Sequence, residues 1–348
     1  MDPLCINMLY MKSQPSGQGV ASATREQIRL LKETTSGSFI IRENARKDGD
    51  INHYHQIAFG FYLRLLASRF KKQKPVTVMH IHFLPDTLEG SIKLPRPFMK
   101  IFCKYVLDFY RRADHAVVVN PVFKKALADY GMDPERIHYI PNYVSKEYFY
   151  PQSPAEKSES RRKYGFGDED FIVLGVGQVQ SRKGVLDFLE AAKACPEMKF
   201  IWAGGFSFGA ITDGYRGLKE RVENPPENVV FPGIVEREAL NAIYNMADVL
   251  FLPSYNELFP MSILEACNTG LPLLLRDLDL YEDILFSDYR KGHALADFIR
   301  ELKALKNDEA LRKKASQDAF EISQYYSKEH VSEIWQHFYR EIYAQSKK

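Results

Sequence analysis

Seven residues separate two glutamates, Glu257 and Glu265, in the stretch SYNELFPMSILEACNTGLP (254–272). An ionised carboxylate only accepts hydrogen bonds and a sugar offers several hydroxyl donors, so two acids opening on one crevice suit an enzyme that binds polyols. Arg182 and Lys183, followed by Gly184, stand at the mouth of a helical pattern in FIVLGVGQVQSRKGVLDFLEAA (171–192). Two cations and a helix amino end favour one kind of ligand, an anion such as a phosphate. Near the amino terminus, MKSQPSGQGVASATREQ (11–27) places Gly17 and Gly19 ahead of a helix, where the backbone can approach a ligand and offer N–H groups. Histidines recur at alternate positions, His53 and His55 in DINHYHQ, His80 and His82 in VTVMHIHFLPD. Alternate strand residues face one side, so a metal pair is conceivable at either place. No carboxylate or cysteine ligand is patterned nearby, which favours a histidine that hydrogen-bonds a polar substrate, and no metal is assigned.

These residues need elements to hold them. ADVLFLPS (247–254) is an apolar run ended by Pro-Ser, a parallel strand whose carboxyl end opens into the loop that carries Glu257. From Pro260 the pattern turns helical and Gly270 closes it, so Glu265 lies about two turns into a helix. Further runs, CINMLY (5–10), VTVMHIHF (76–83), AVVVN (116–120), FIVLGVG (171–177) and KFIWAGG (199–205) among them, alternate with helical stretches such as ASATREQIRLLKE (21–33). Such alternation predicts an α/β chain of two doubly wound, Rossmann-like domains facing a central cleft. SPAEKSES (153–160), polar and proline-bearing, reads as the linker between residues 1–152 and 161–328, with a terminal amphipathic helix over 329–348 packing back toward the first domain. Gly175-x-Gly177 lacks the third glycine of a dinucleotide turn, because Gln180 stands there, and no acidic residue ends the strand near Phe200 to Ala203; both argue against an NAD site.

A chain of 348 residues, 45% hydrophobic and 26% charged, is long enough for two cores. Its net charge of +2 is unevenly spread: residues 1–145 hold 21 Lys/Arg against 13 Asp/Glu, and 58–112 alone hold 11 against 3. Four scattered cysteines argue against a disulfide framework and fit a reducing compartment. The first residues lack a charged segment leading into an apolar one, and no run reaches membrane-spanning length, so the expected location is cytoplasmic. The basic excess centres on RPFMKIFCKYVLDFYRR (96–112), where Phe98, Phe102, Tyr105 and Phe109 share one helical face and Lys100, Lys104 and Arg111 the other. FGFYLRLLASRFKKQK (59–74) repeats the mixture. Each basic residue near an anionic bilayer is worth about 1 kcal/mol, so the surface around Lys93, Arg96, Phe98, Lys100, Phe102, Lys104, Arg111 and Arg112 is the candidate contact with anionic membrane lipid. Nucleic acid is the rival partner for basic residues, but no nucleic-acid motif accompanies them.

Together the blocks resemble glycosyltransferase family 4, retaining nucleotide-sugar transferases with the two-domain GT-B fold. The likeness is carried by YGMDPERIHYIPNYVSKEYF (130–149), by GVGQVQSRKGVLDFLEA, and by NVVFPGIVEREALNAIYNMADVLFLPSYNELFPMSILEACNTGLP, in the family's order and spacing. The resemblance implies a UDP-sugar donor: Glu265 would bind ribose hydroxyls, Glu257 would lie beside the transferred sugar with Phe259 and Met261, and Arg182 or Lys183 would neutralise the diphosphate. Gly19 would back the diphosphate from the opposite domain. His82, or less favourably His80, matches the active-site histidine, which makes Glu257, His82 and Lys183 the catalytic candidates. The chain departs from the family at Gln178, where arginine is usual, and at Pro260, where glycine is common and proline supplies no N–H. Asp277-Leu-Asp279 looks like a metal motif, but GT-B enzymes generally need none, so no cofactor is expected and Mg2+ is not expected to be essential. FLPDTLEGSIKLPRP (83–97) is similar to the subgroup that glycosylates diacylglycerol lipids in Gram-positive bacteria. This implies transfer of glucose or galactose to a monoglucosyl-diacylglycerol by an enzyme peripheral to the inner face of the cell membrane. A soluble or polysaccharide acceptor is the alternative.

Overall fold

The computed structural model describes residues 3–11, 19–35, 37–84, 96–206, 209 and 214–347, without the side chains of Gly19 and Arg96. The first half runs β1 (Leu4–Leu9), α1 (Gly19–Thr34), β2 (Phe39–Glu43), β3 (Ile51–Tyr54), α2 (Phe59–Ser68), β4 (Val76–Ile81), α3 (Arg96–Arg112), β5 (His115–Val118), α4 (Val122–Asp129) and β6 (Ile137–Tyr139). The second runs α5 (Pro154–Lys163), β7 (Ile172–Val176), α6 (Val185–Ala194), β8 (Lys199–Ala203), α7 (Tyr215–Glu223), β9 (Val229–Gly233), α8 (Arg237–Met246), β10 (Val249–Leu252), α9 (Met261–Thr269), β11 (Leu273–Arg276), β12 (Arg290–Gly292), α10 (Leu295–Asn307), α11 (Glu309–Tyr325) and α12 (Lys328–Gln345). Two parallel six-stranded sheets result, ordered β2-β1-β3-β4-β5-β6 and β12-β11-β10-β7-β8-β9. The expected pair of doubly wound domains is borne out.

The apolar runs form strands because both faces of a parallel sheet are covered: every residue of β4 is buried, as is every residue of β10. α9 stops at Gly270, which adopts a left-handed φ of 71°. A side chain there would also meet the Phe320 ring 2.3 Å from its Cβ, so glycine both ends the helix and lets α11 pack close.

The stretch read as a linker is instead an ordered helix. Ser153 and Glu156 form a capping box, Pro154 occupies the first turn, and α5 follows. Arg161 then fixes it to the second half, donating to the Met246 carbonyl at 3.0 Å and pairing with Asp248 at 3.0 Å. At the other end of the chain α12 crosses back: Val331, Trp335, Phe338, Tyr339 and Ile342 share one buried cluster with Ile6, Met8 and Val78. Hydrogen bonds join the halves elsewhere. Asn120, beyond β5, donates to the carbonyls of Leu258 and Leu280 at 3.2 Å, and Asn268 of α9 donates to that of Val144 at 3.0 Å.

Candidate active site

Two turns at the carboxyl ends of β7 and β10 are stapled together. Gly184 begins α6 with φ 71°, and a Cβ there would lie 2.2 Å from the Pro253 carbonyl oxygen, so only glycine allows the Arg182-Lys183 turn to press on the loop after β10. The Tyr255 N–H donates to the Arg182 carbonyl at 2.8 Å, and an Arg182 guanidinium nitrogen donates to the Asn256 carbonyl at 3.3 Å. The outcome is a buried ion pair in which the Lys183 ammonium lies 2.5 and 2.7 Å from the two oxygens of Glu257. Burial pushes the Glu257 carboxyl up, but Lys183 and Arg182 together hold it below its usual range, so it is ionised at neutral pH. Burial pushes Lys183 down, against the pull of Glu257. The Nε of Arg182 is buried without a partner among the described residues, a donor left for a ligand.

Glu265 sits midway along α9, buried, and accepts from the Tyr244 hydroxyl at 2.7 Å. Arg237 of α8 approaches its other oxygen at 3.7 Å and also pairs with Glu26 of α1. Burial pushes the Glu265 carboxyl up, and Arg237 only partly offsets it. Phe259 and Met261 flank this region as buried side chains, Phe259 packing its ring on Tyr326 at 5.5 Å. Gly19 begins α1, whereas Gly17 lies outside the described residues.

The histidines of the first half converge on one another. His53 stacks on His55 at 4.5 Å and on His80 at 5.3 Å, and His80 stacks on His82 at 4.3 Å with only 9° between planes. The Tyr339 hydroxyl shares a 2.7 Å hydrogen bond with His53 Nδ1, and Trp335 walls the stack. Burial pushes His53 down to about 3 and His82 to about 4, and drives His55 and His80 well below the usual value, so all four are neutral at pH 7. Ring nitrogens of His53, His55 and His80 lie within 4.8 Å of one another. Imidazole lone pairs lie in the ring planes, however, and the His53 ring lies within 20° of parallel to both His55 and His80, so its lone pairs run alongside theirs instead of converging. His82 stands past the last residue of β4, with Nε2 buried and unpartnered among the described residues, a neutral donor or acceptor for a hydroxyl.

The surface proposed for lipid is partly corrected. Phe109 is fully buried, and Phe102 and Tyr105 are half-buried against the first domain's own core, so the aromatic face of α3 is largely internal: a helix flanking a sheet must cover it. Arg112 is paired with Asp108 at 2.5 Å, and Arg111 donates to the Tyr130 carbonyl. Lys100 and Lys104 remain exposed, beside Phe98 and Ile101 at 64% and 66% exposure, with Phe59 and Phe70 of the neighbouring segment at 66% and 90%. Lys93 lies outside the described residues, as does the side chain of Arg96. Among the described residues no helix is long and apolar enough to cross a membrane.

Sequence reasoning missed Glu26, Arg237 and Tyr244. One local signal was available: Arg237 is the first residue of α8, where a cation opposes the helix dipole.

Residues 19–148 match the family model described as Glycosyltransferase Family 4, and residues 156–321 the model described as Glycosyl transferases group 1. The chain is 44% identical over 345 residues to the alpha-galactosylglucosyldiacylglycerol synthase of Streptococcus pneumoniae, covering 99% of this chain and 91% of that one. It is 27% identical over 278 residues to the processive diacylglycerol alpha-glucosyltransferase of Acholeplasma laidlawii, covering 79% and 81%. Among solved structures, Anabaena Alr3699/HepE in complex with UDP-glucose superposes with a TM-score of 0.76 at 15% identity, over 95% of this chain and 97% of that one, a likeness of fold. A GT-B fold with an ion pair at the carboxyl ends of two neighbouring strands, matched along both halves, makes this chain a glycosyltransferase of family 4.

Proposed function

We propose that the chain transfers glucose or galactose from a UDP-sugar to a glycosylated diacylglycerol, monoglucosyl-diacylglycerol in particular, with retention at the anomeric carbon. The observation that carries this reading is the 44% identity to a galactosylglucosyldiacylglycerol synthase over nearly the whole of both chains. The site geometry is suited to it. Arg182 and Lys183 stand ready to neutralise the diphosphate as it leaves, in a buried setting where a fixed cation stabilises developing charge more than water does. The N–H groups opening α1 at Gly19 would back the same charge from the other half. Glu265 accepts the ribose hydroxyls, and His82 meets the hexose as a neutral hydrogen-bonding group.

Glu257 engages Lys183 through both oxygens, which suits a carboxylate that orients the ammonium and the sugar better than one that attacks carbon. Transfer then proceeds on one face: the bond from the anomeric carbon to the diphosphate oxygen breaks, an acceptor hydroxyl bonds to that carbon, and its proton passes to the departing phosphate. The acceptor is reached from the membrane by way of Lys100, Lys104 and the exposed aromatics Phe59, Phe70 and Phe98. Purified chain is incubated with radiolabelled UDP-glucose or UDP-galactose and vesicles carrying monoglucosyl-diacylglycerol, and the lipids are separated. A labelled diglycosyl lipid is expected; label appearing only in soluble saccharide, or in nothing, overturns the proposal.

A further inference from the structure

Arg237 serves two buried acids from opposite halves of the molecule. Its guanidinium pairs with Glu26, in the middle of α1, and lies 3.7 Å from Glu265 of α9. It rests over the rings of Phe149 and Tyr148, at 5.2 and 5.5 Å. Glu26 and Glu265 are 3% and 5% exposed, and among the described residues Arg237 is the one cation within 4.0 Å of either, with Arg29 acting on Glu26 from farther away. Each acid's remaining oxygen is also held. The Ser145 N–H donates to Glu26 at 3.2 Å, and the Tyr244 hydroxyl donates to Glu265 at 2.7 Å.

Two carboxylates sharing one cation would repel each other if the guanidinium left, and burial already favours their protonated forms. A protonated Glu265 would lose acceptor capacity at one oxygen. Arginine is suited to the task, since its rigid fork reaches two acids at once and remains charged when buried. Its seat at the start of α8 costs some dipole energy, a placement the helix itself does not ask for.

We propose that Arg237 is a positioning residue for the donor: with Tyr244 it fixes the Glu265 carboxylate for the ribose hydroxyls, and through Glu26 it ties that orientation to α1 of the opposite half. The proposal rests on the reading of Glu265 as the ribose acceptor. α1 begins at Gly19 and carries Glu26 seven residues on, so the element that would back the diphosphate is also the one that anchors the arginine.

Titration calorimetry with UDP and with 2′,3′-dideoxy-UDP, which lacks both ribose hydroxyls, separates the possibilities. Wild type should prefer UDP by about tenfold or more, since a site built to hydrogen-bond hydroxyls rejects the analogue without them. Arg237→Gln should weaken UDP by about tenfold, leave dideoxy-UDP within about threefold, and so nearly erase the preference. Glu26→Gln should erode the preference partly, and adding it to Arg237→Gln should do no further harm, because the two act in series. Should Arg237→Gln fail to fold by circular dichroism, Arg237→Lys carries the test: the charge is kept, the fork is lost, and the preference should still shrink. Equal weakening of both nucleotides, or an undiminished preference in the variant that folds, overturns the proposal. Glu265→Gln tells the two failures apart: if it keeps the wild-type preference the ribose reading is wrong, whereas if it loses the preference while Arg237 variants keep theirs, only the positioning role falls.

Discussion

The two halves handle charge in opposite ways. The second half, with 26 Lys/Arg against 32 Asp/Glu from residue 146 onward, draws charge inward in the region proposed for the donor: Lys183 with Glu257, and Arg237 beside Glu265. The first half carries a net +8 over residues 1–145 yet keeps its strand ends neutral, with four stacked imidazoles walled by Trp335, while exposed lysines such as Lys100 and Lys104 face outward. A buried cation suits an anionic donor, a neutral stack suits the hydroxyls of a sugar, and basic residues on the outside suit an anionic surface. One fold used twice therefore separates its tasks by where it lets charge reside.

Removing the buried cation attacks that contrast most directly. Lys183→Ala should lower kcat by about 10² to 10³, the scale for losing one preorganised electrostatic partner. It also strands Glu257 in the interior, at a cost of about 3–5 kcal/mol, so urea unfolding should report a weaker fold as well. Pairing Lys183→Met with Glu257→Gln should recover most of the stability and none of the turnover. If the double variant regained activity, the charge would be structural and the second half would be no different from the first.

The neutral stack depends on staying dry. Trp335 packs at 5.5 and 5.7 Å from His53 and His80 and is 2% exposed, so Trp335→Ala should cost about 3–5 kcal/mol by opening a cavity beside them. An unchanged unfolding midpoint would mean that α12 is not part of the first half's core.

Acid should unfold the protein by way of the same stack. His53 at about 3 and His82 at about 4 lie below the unfolded value of about 6.5, so the folded state binds fewer protons. Their contribution is intact above about pH 6.5 and is lost as pH falls from there toward 4, by about 1.4 kcal/mol per pH unit for each histidine. Glu257, held low by its cations, stays ionised over most of that window and adds little to the slope. Thermal midpoints from pH 7 to 4.5 should decline steeply in wild type and less so in His55→Gln; equal slopes would place the acid sensitivity elsewhere.

Much of this was legible in the sequence, for a physical reason. Parallel strands covered on both faces write themselves as uninterrupted apolar runs, so β4 and β10 are visible in VTVMHI and VLFL, and a glycine such as Gly270 marks where a helix ends. Glu257, Glu265 and the Arg182-Lys183 pair stand out because each sits at a strand end or helix mouth that the local pattern reveals. Partnerships were hidden. Lys183 meets Glu257 across 74 residues, and Arg237 meets Glu26 across 211, distances that only the folded sheet order closes. Ser153 with Glu156 had a local capping signature that the polar composition of 153–160 obscured, and the aromatic stripe of α3 announced an amphipathic helix without saying which side the protein itself would cover.

The outward charge gives the smallest effect and the finest test. Lys104 is exposed on α3, with no ion pair among the described residues, so Lys104→Ala should weaken binding to vesicles rich in anionic lipid by about 1 kcal/mol, roughly fivefold in partitioning. Raising salt should shrink the difference, because exposed charges are screened over about 10 Å at 0.1 M. The affinity for UDP should not move, since the cations proposed for the donor, Arg182 and Lys183, belong to the other half. A change in UDP affinity without a change in vesicle binding would reverse the assignment, making the basic face of the first half part of the donor site and leaving the lipid to be met elsewhere.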